Sequence, residues 1–298
     1  MRLRERWNAH GTTAACDTMI GSMDASRTTS GLRLRARARA FLPKGWGDFL
    51  LQLFLFAIVD IAYELTRGLS ESNVLPAFAH ARDVVSLERS LGVFTELDVQ
   101  RWALHRHWAL DIANFTYFHA HFVITVVFMF WLYLRRNKYY YFVRNAVFVA
   151  DAIALIGFTF FPTAPPRMLT DMGFTDTLDR YASISNYSGP VAALANPFAA
   201  IPSIHTCYSL IIGVTCFFLV RHRALGFTWL FYPALIVFSI VATGNHFWTD
   251  AVLGGVLAGV ALSSAWLIER YRPTLPHATR VRMRLEPPTR PATPATAR

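Results

Sequence analysis

Residues 244–267, GNHFWTDAVLGGVLAGVALSSAWL, decide the fold and begin the chemistry. From Ala251 to Ile268 no side chain is charged. A helix of about 20 apolar residues crosses a ~30 Å hydrocarbon core, so about 247–267 reads as a membrane-spanning helix. Its start is polar, with Asn245, His246 and Asp250. Asp250 stands four positions after His246, which puts the two on one face of a helix. Ionisable groups at the end of a membrane segment are expensive and mark function by default.

Comparable apolar runs lie upstream, at about 46–66, 114–134, 142–162, 202–220 and 225–243. The expected architecture is all-α and polytopic, with six transmembrane helices in a bundle. Residues 74–107 are mixed. Val84, Val85, Leu87 and Leu91 fall at near-helical spacing among Arg82, Asp83, Glu88 and Arg89, the pattern of an interfacial amphipathic helix. The composition agrees: 54% of the chain is hydrophobic and only 16% charged, against ~25% charged in soluble domains. One membrane catalytic domain is expected over 46–268. It is flanked by a basic tail, 1–45, and a Pro- and Arg-rich tail, 269–298, both read as disordered.

Net charge is +10. Most Lys and Arg fall in the tails and in the short loops after the second and fourth runs, which places both termini in the cytoplasm. That distribution suits topology and anionic lipid headgroups near the tails, and excludes nucleic acid as the partner. Integral membrane localisation follows, in the plasma membrane for a bacterial chain. Cys16, Cys207 and Cys216 match no disulfide or metal spacing.

Three polar clusters interrupt the apolar pattern: Pro162–Arg167, Pro202–His205 and Gly244–Asp250. Under this topology all three reach the outer face. Asp250 can accept from one ring nitrogen of His246 and leave the other unprotonated, the tautomer a nucleophile needs. His205 can supply a proton to a leaving oxygen. Helix N-termini favour anions such as phosphate, and Arg167 can clamp phosphate oxygens. Ser203, Asn245, His121 and Tyr117 stand beside these positions as candidate substrate-binding residues. His119 and His121 are two apart and face different ways on a helix, so joint metal ligation is not expected. No Gly-rich phosphate loop, serine elbow or zinc signature is present, and neither a cofactor nor a metal is expected. Gly254, Gly255 and Gly259 read as helix-packing residues. The polar stretch 163–201 is long for a connection in a bundle and reads as a lid, a binding loop or a disordered segment.

Pro202-Ser203-Ile204-His205 and Gly244-Asn245-His246 with Asp250 resemble the second and third signature motifs of the type 2 phosphatidic acid phosphatase superfamily. The resemblance implies a general acid at His205, a nucleophile at His246 and an orienting carboxylate at Asp250. There are departures. The lysine of the first motif is absent before Arg167, and the arginine six before the third-motif histidine is Ile240. Ala164-Pro165-Pro166-Arg167, Asn196-Pro197 through His205, and Thr243-Gly244 look more like the branch containing inositol phosphorylceramide synthase. Glu88-Arg89-Ser90-Leu91-Gly92 and Tyr117-Phe118 with His121 fit that branch less specifically.

The expected function is a membrane lipid phosphotransferase working through a phosphohistidine. Its substrate is a membrane lipid phosphate and its acceptor a polyol or other alcohol, with an inositol-phosphate-type headgroup as the branch analogy. One alternative is a lipid phosphate or polyprenyl (pyro)phosphate phosphatase using the same residues, with water as acceptor. Another is a non-catalytic membrane lipid-binding protein.

Overall fold

The computed structural model describes residues 42–70, 74–177 and 198–271. Both expected tails, apart from a few residues next to the domain, lie outside these ranges, as do Cys16 and the Asn196-Pro197 pair. The chain divides into two compact units, 1–54 and 55–298, with the boundary inside the first helix. That helix, α1, is Gly45–Ser70. In the first unit its opening turn follows a left-handed Gly45 (φ 79°), and Asp48 accepts a hydrogen bond from Gln52 one turn on.

The second unit is built of helices joined by turns and irregular segments, and among its described residues the β pairing is an isolated parallel bridge between Thr163 and Ala199. Helices α2 (Val74–Ser90) and α3 (Glu96–Leu104) come first. A continuous run then comprises α4 (His107–Phe115), a π-helical turn at Thr116–Ala120, and α5 (His121–Arg135). After the non-helical Arg136 comes α6 (Asn137–Phe160). Beyond the 162–177 segment lie α7 (Ile204–Leu219), α8 (Arg223–Thr228), α9 (Tyr232–Ala242) and α10 (Trp248–Tyr271).

Four stretches are long and apolar enough to cross a membrane by length and composition: His107–Arg135, Asn137–Phe160, Arg223–Ala242 and Trp248–Tyr271. Helix α7 is apolar but shorter. Helix α1 carries Asp48, Asp60 and Glu64 and is not among the four. The chain is therefore an all-α membrane protein with at least these four candidate spans.

One expectation changes at 74–107. A single interfacial helix was anticipated; two helices form, broken at Gly92, which takes a positive φ of 70°. Val84 and Val85 are buried, whereas Leu87 and Leu91 are 49% and 64% exposed. The pair buries Glu88, Glu96 and Gln100 instead. The apolar pattern thus marks only part of the packed face, because polar partners on other elements claim the rest.

Close helix packing brings the site together. A Cβ on Gly254 of α10 would come within 2.4 Å of the Ser203 carbonyl oxygen and 3.0 Å of Thr206 Cβ. Only glycine allows α10 to lie this close to the start of α7. Gly255 has ordinary contact with Leu210, while Gly259 faces open space, so the expected packing role holds at Gly254 and not at Gly259.

Candidate active site

The three polar clusters meet. Their scaffold is backbone. Thr163 N–H donates to the Phe198 carbonyl (2.9 Å), Arg167 N–H to the Gly244 carbonyl (2.8 Å), and Ser203 N–H to the Asp250 carbonyl (3.2 Å). Gly244 adopts φ 69° and packs against Arg167 and Gln100, where any side chain would collide. The turn it makes ends α9 and aims Asn245 and His246 inward.

His246 Nδ1 lies 3.1 Å from Asp250 Oδ2. The same oxygen accepts the Phe247 backbone N–H at 2.9 Å. A carboxylate in this place fixes the Nδ1–H tautomer and leaves Nε2 with its lone pair. Burial pushes the His246 imidazole down to about 4. The nearby Arg167 guanidinium adds to the shift, and a contact with the Ala200 carbonyl opposes it. The ring is thus neutral at neutral pH, as a nucleophile requires.

His205, in the first turn of α7, has its ring centroid 5.4 Å from that of His246. On its other side stand Tyr117 at 4.7 Å and His121 at 5.2 Å. His121 Nδ1 is 2.8 Å from the Tyr232 hydroxyl. The π-helical turn at Thr116–Ala120 contains Tyr117 and directly precedes His121, and such turns are frequent at functional sites. His119 stacks instead on Phe115, so the two histidines do face different ways.

Arg167 is buried. Its Nε donates to Asn245 Oδ1 (2.9 Å) and its Nη1 to Asp176 Oδ2 (3.1 Å). Asn245 in turn donates to Thr243 Oγ1 (2.7 Å). The guanidinium is held in place from within the protein by Asn245 and Asp176. Ser203 is buried, and its hydroxyl caps α7 by accepting from Thr206 N–H. Among the described residues no group of three or more His, Cys, Asp or Glu is placed to hold a metal ion.

The sequence reading assigned no role to Glu96, Asp176 or Tyr232, and quoted Glu88 without one. Only Glu88 left a signal, as part of the Glu88–Gly92 stretch; the others sit in ordinary surroundings along the chain.

This constellation defines the chain's class: it belongs to the PAP2 superfamily, whose family model matches residues 82–264. Within the superfamily it resembles the branch of inositol phosphorylceramide synthase. A relative is the phosphoinositol dihydroceramide synthase of Bacteroides thetaiotaomicron, 24% identical in an alignment 253 residues long that covers 76% of this chain and 75% of the relative. No solved structure matches.

Proposed function

We propose that this chain is a membrane lipid phosphotransferase working through a phosphohistidine at His246. The observation that carries the reading is the row Asp250–His246–His205, with a buried carboxylate on one nitrogen of the central ring and a second imidazole beyond. In the first step the Nε2 lone pair attacks the lipid phosphorus. The bond from phosphorus to the leaving oxygen breaks, and that oxygen takes a proton from His205. In the second step His205, now neutral, takes the proton of an acceptor hydroxyl. The acceptor oxygen attacks phosphorus, the N–P bond breaks, and His246 is restored. Arg167, held by Asn245, supplies positive charge to the phosphoryl oxygens; Tyr117, His121 and Ser203 shape the surroundings.

Burial supports transfer over hydrolysis. His246 is 4% exposed and Asp250 fully buried, so bulk water has little access to the phosphohistidine. The name of the Bacteroides relative makes an inositol-phosphate-type headgroup the first to test. Helices α1 and α7 complete six spans on this reading. The termini are cytoplasmic, where the basic tails meet anionic lipids, and the site opens at the outer face of the plasma membrane.

The test is a purified protein supplied with radiolabelled inositol-containing, glycerol-based and polyprenyl lipid phosphates, with and without alcohol acceptors. Products are identified by mass spectrometry, and label on His246 is trapped under an acid-free quench. Label on His246 and a transferred headgroup are expected. Free phosphate as sole product, whatever alcohol is offered, overturns transfer in favour of the phosphatase. Normal turnover by His246→Ala ends the mechanism altogether.

A further inference from the structure

Glu88 and Glu96 are both fully buried, on separate helices, and the mechanism above does not use them. Both end on the first turn of α10. Glu88 Oε1 accepts from Thr249 N–H (2.7 Å) and from Thr249 Oγ1 (2.7 Å). Glu96 Oε1 accepts from Trp248 N–H (3.0 Å). Asp250 Oδ2 takes the Phe247 N–H. Three consecutive backbone donors at the head of this helix therefore meet three different carboxyls. Thr95 beside Glu96 adds a bond from Trp248 Nε1 (3.0 Å).

Each carboxyl has a second oxygen that is buried without a partner: Glu88 Oε2, Glu96 Oε2 and Asp250 Oδ1. Three anions this close in a dry interior repel strongly, and a helix dipole of about half a charge does not offset them. Glu88 and Glu96 are within hydrogen-bonding reach of each other. Two carboxylates are both acceptors, so that contact is a bond only when one of them carries a proton. Burial first, and the Glu88 neighbour second, push Glu96 up to about 8.

We propose that Glu88 and Glu96 are positioning residues of the reacting site: sharing one proton between their carboxyls, they clamp the start of α10 and so hold Asp250 against His246. The proposal rests on His246 and Asp250 being the reacting pair. It explains why two acidic residues are buried beside a third. One shared proton lowers the charge by one and turns a repulsion into a hydrogen bond, while each outer oxygen still caps a backbone donor.

Glutamine distinguishes this arrangement from simple space-filling. In Glu96→Gln the amide oxygen still accepts from Trp248, and the amide N–H₂ donates to a Glu88 oxygen. Glu88→Gln works in mirror image. In the double variant two N–H₂ groups face each other with no acceptor between them. The expected result is that each single variant keeps kcat within about threefold of wild type, the scale of one exchanged neutral hydrogen bond. The double variant loses kcat by about 100-fold with KM little changed, as a small misplacement of reacting groups does. Infrared spectra of the full-length protein in detergent should show the carbonyl stretch of a protonated carboxyl, lost in either single variant.

Equal loss of kcat in a single and the double variant overturns the proposal. So does a double variant as active as the singles, a single variant that fails to fold, or a carboxyl band that survives in both singles. A double variant that fails to fold while both singles fold supports the shared proton. Wild-type protein without turnover on any lipid phosphate counts against the proposed function instead, and the infrared arm then still decides the pair.

Discussion

The polar cluster around α2, α3 and the starts of α7 and α10 and the shafts of α5, α6 and α10 obey opposite rules. In the shafts apolar residues face outward: Phe122, Val123, Ile156, Val252 and Val256 are all exposed on the protein surface, as a lipid solvent allows. In the cluster polar residues face inward: Glu88, Glu96, Arg167, Ser203, Asn245, His246 and Asp250 are buried. A shaft tolerates change because any apolar side chain suits lipid. The polar cluster does not, because each buried group depends on a particular partner.

The sharpest way to break this contrast is at His246. Asp250→Asn keeps the shape but replaces the acceptor of the Nδ1–H, so the wrong tautomer becomes available. The expected loss is about 10³- to 10⁴-fold in kcat, by analogy with carboxylate-to-amide exchange in serine-protease triads. Single-turnover kinetics should show phosphohistidine formation slowed to the same extent. Retention of more than a tenth of wild-type kcat would remove Asp250 from the orienting role.

Next comes Gly254→Ala. The added methyl would meet the Ser203 carbonyl oxygen at 2.4 Å, a backbone atom that cannot rotate away. Helix α10 must shift from α7, separating Asp250 from the loop that carries Ser203. A shift on the order of 1 Å costs about 100-fold in rate, and overpacking costs about 1–3 kcal/mol in stability. Steady-state kcat and the thermal midpoint in detergent check both. Unchanged values would mean that the two helices are not held at this point.

Asn245→Ala tests the cluster more gently. It leaves the Arg167 charge in place but removes the acceptor of its Nε. A hydrogen bond to a charged group is worth about 1.5–3 kcal/mol, so KM for the lipid phosphate should rise roughly 10- to 100-fold with kcat less affected. A fall in kcat alone would instead assign Asn245 to the reacting atoms.

The two regions also differ in how far the sequence announces them. The shafts of α5, α6 and α10 are legible because hydropathy is summed over many residues and lipid asks nothing else of them. His205, His246, Asp250 and Arg167 are legible because ionisable groups are rare next to such runs. Helix α1, with three carboxylates in an apolar run, reads as a span by eye but is not among the four long candidates. The start of the second span was placed at 114, whereas the helical run begins at His107, because polar residues through His121 dilute its hydropathy. Glu88 reads as part of the polar side of a surface helix, and nothing in the sequence singles out Glu96. Their burial depends on Trp248 and Thr249, more than 150 residues away, and no local pattern encodes that.

A pH series follows from the same pair of regions. Native Glu96 keeps its proton to about 8, while the unfolded chain releases it near 4.5, so stability falls as pH rises between those values. Native His246 stays neutral down to about 4, while the unfolded ring protonates near 6.5, so its effect has the opposite sign and is confined below 6.5. Between pH 6.5 and 8 the carboxyl acts without that opposition, beside its neighbours Glu88 and Asp250. The thermal midpoint in detergent should decline across this window, and Glu96→Gln should flatten the decline. A midpoint that rises, or an equal slope in the variant, would show that Glu96 is ionised throughout.

The smallest effect is expected at Gly259→Ala, one helical turn and a residue beyond Gly254 on the same shaft. A Cβ there meets nothing within 4 Å. Alanine loses less backbone freedom on folding than glycine and is the better helix former, by about 0.5–1 kcal/mol. The variant should be as active as wild type and slightly more heat-stable in detergent. The sign matters more than the size: α10 would then carry one glycine that must be glycine and another that need not be. The difference lies in what faces each of them, the backbone of α7 at Gly254 and open surface at Gly259. A loss of stability at Gly259 would instead reveal a neighbour on that face, as a second copy of the chain in the membrane would provide.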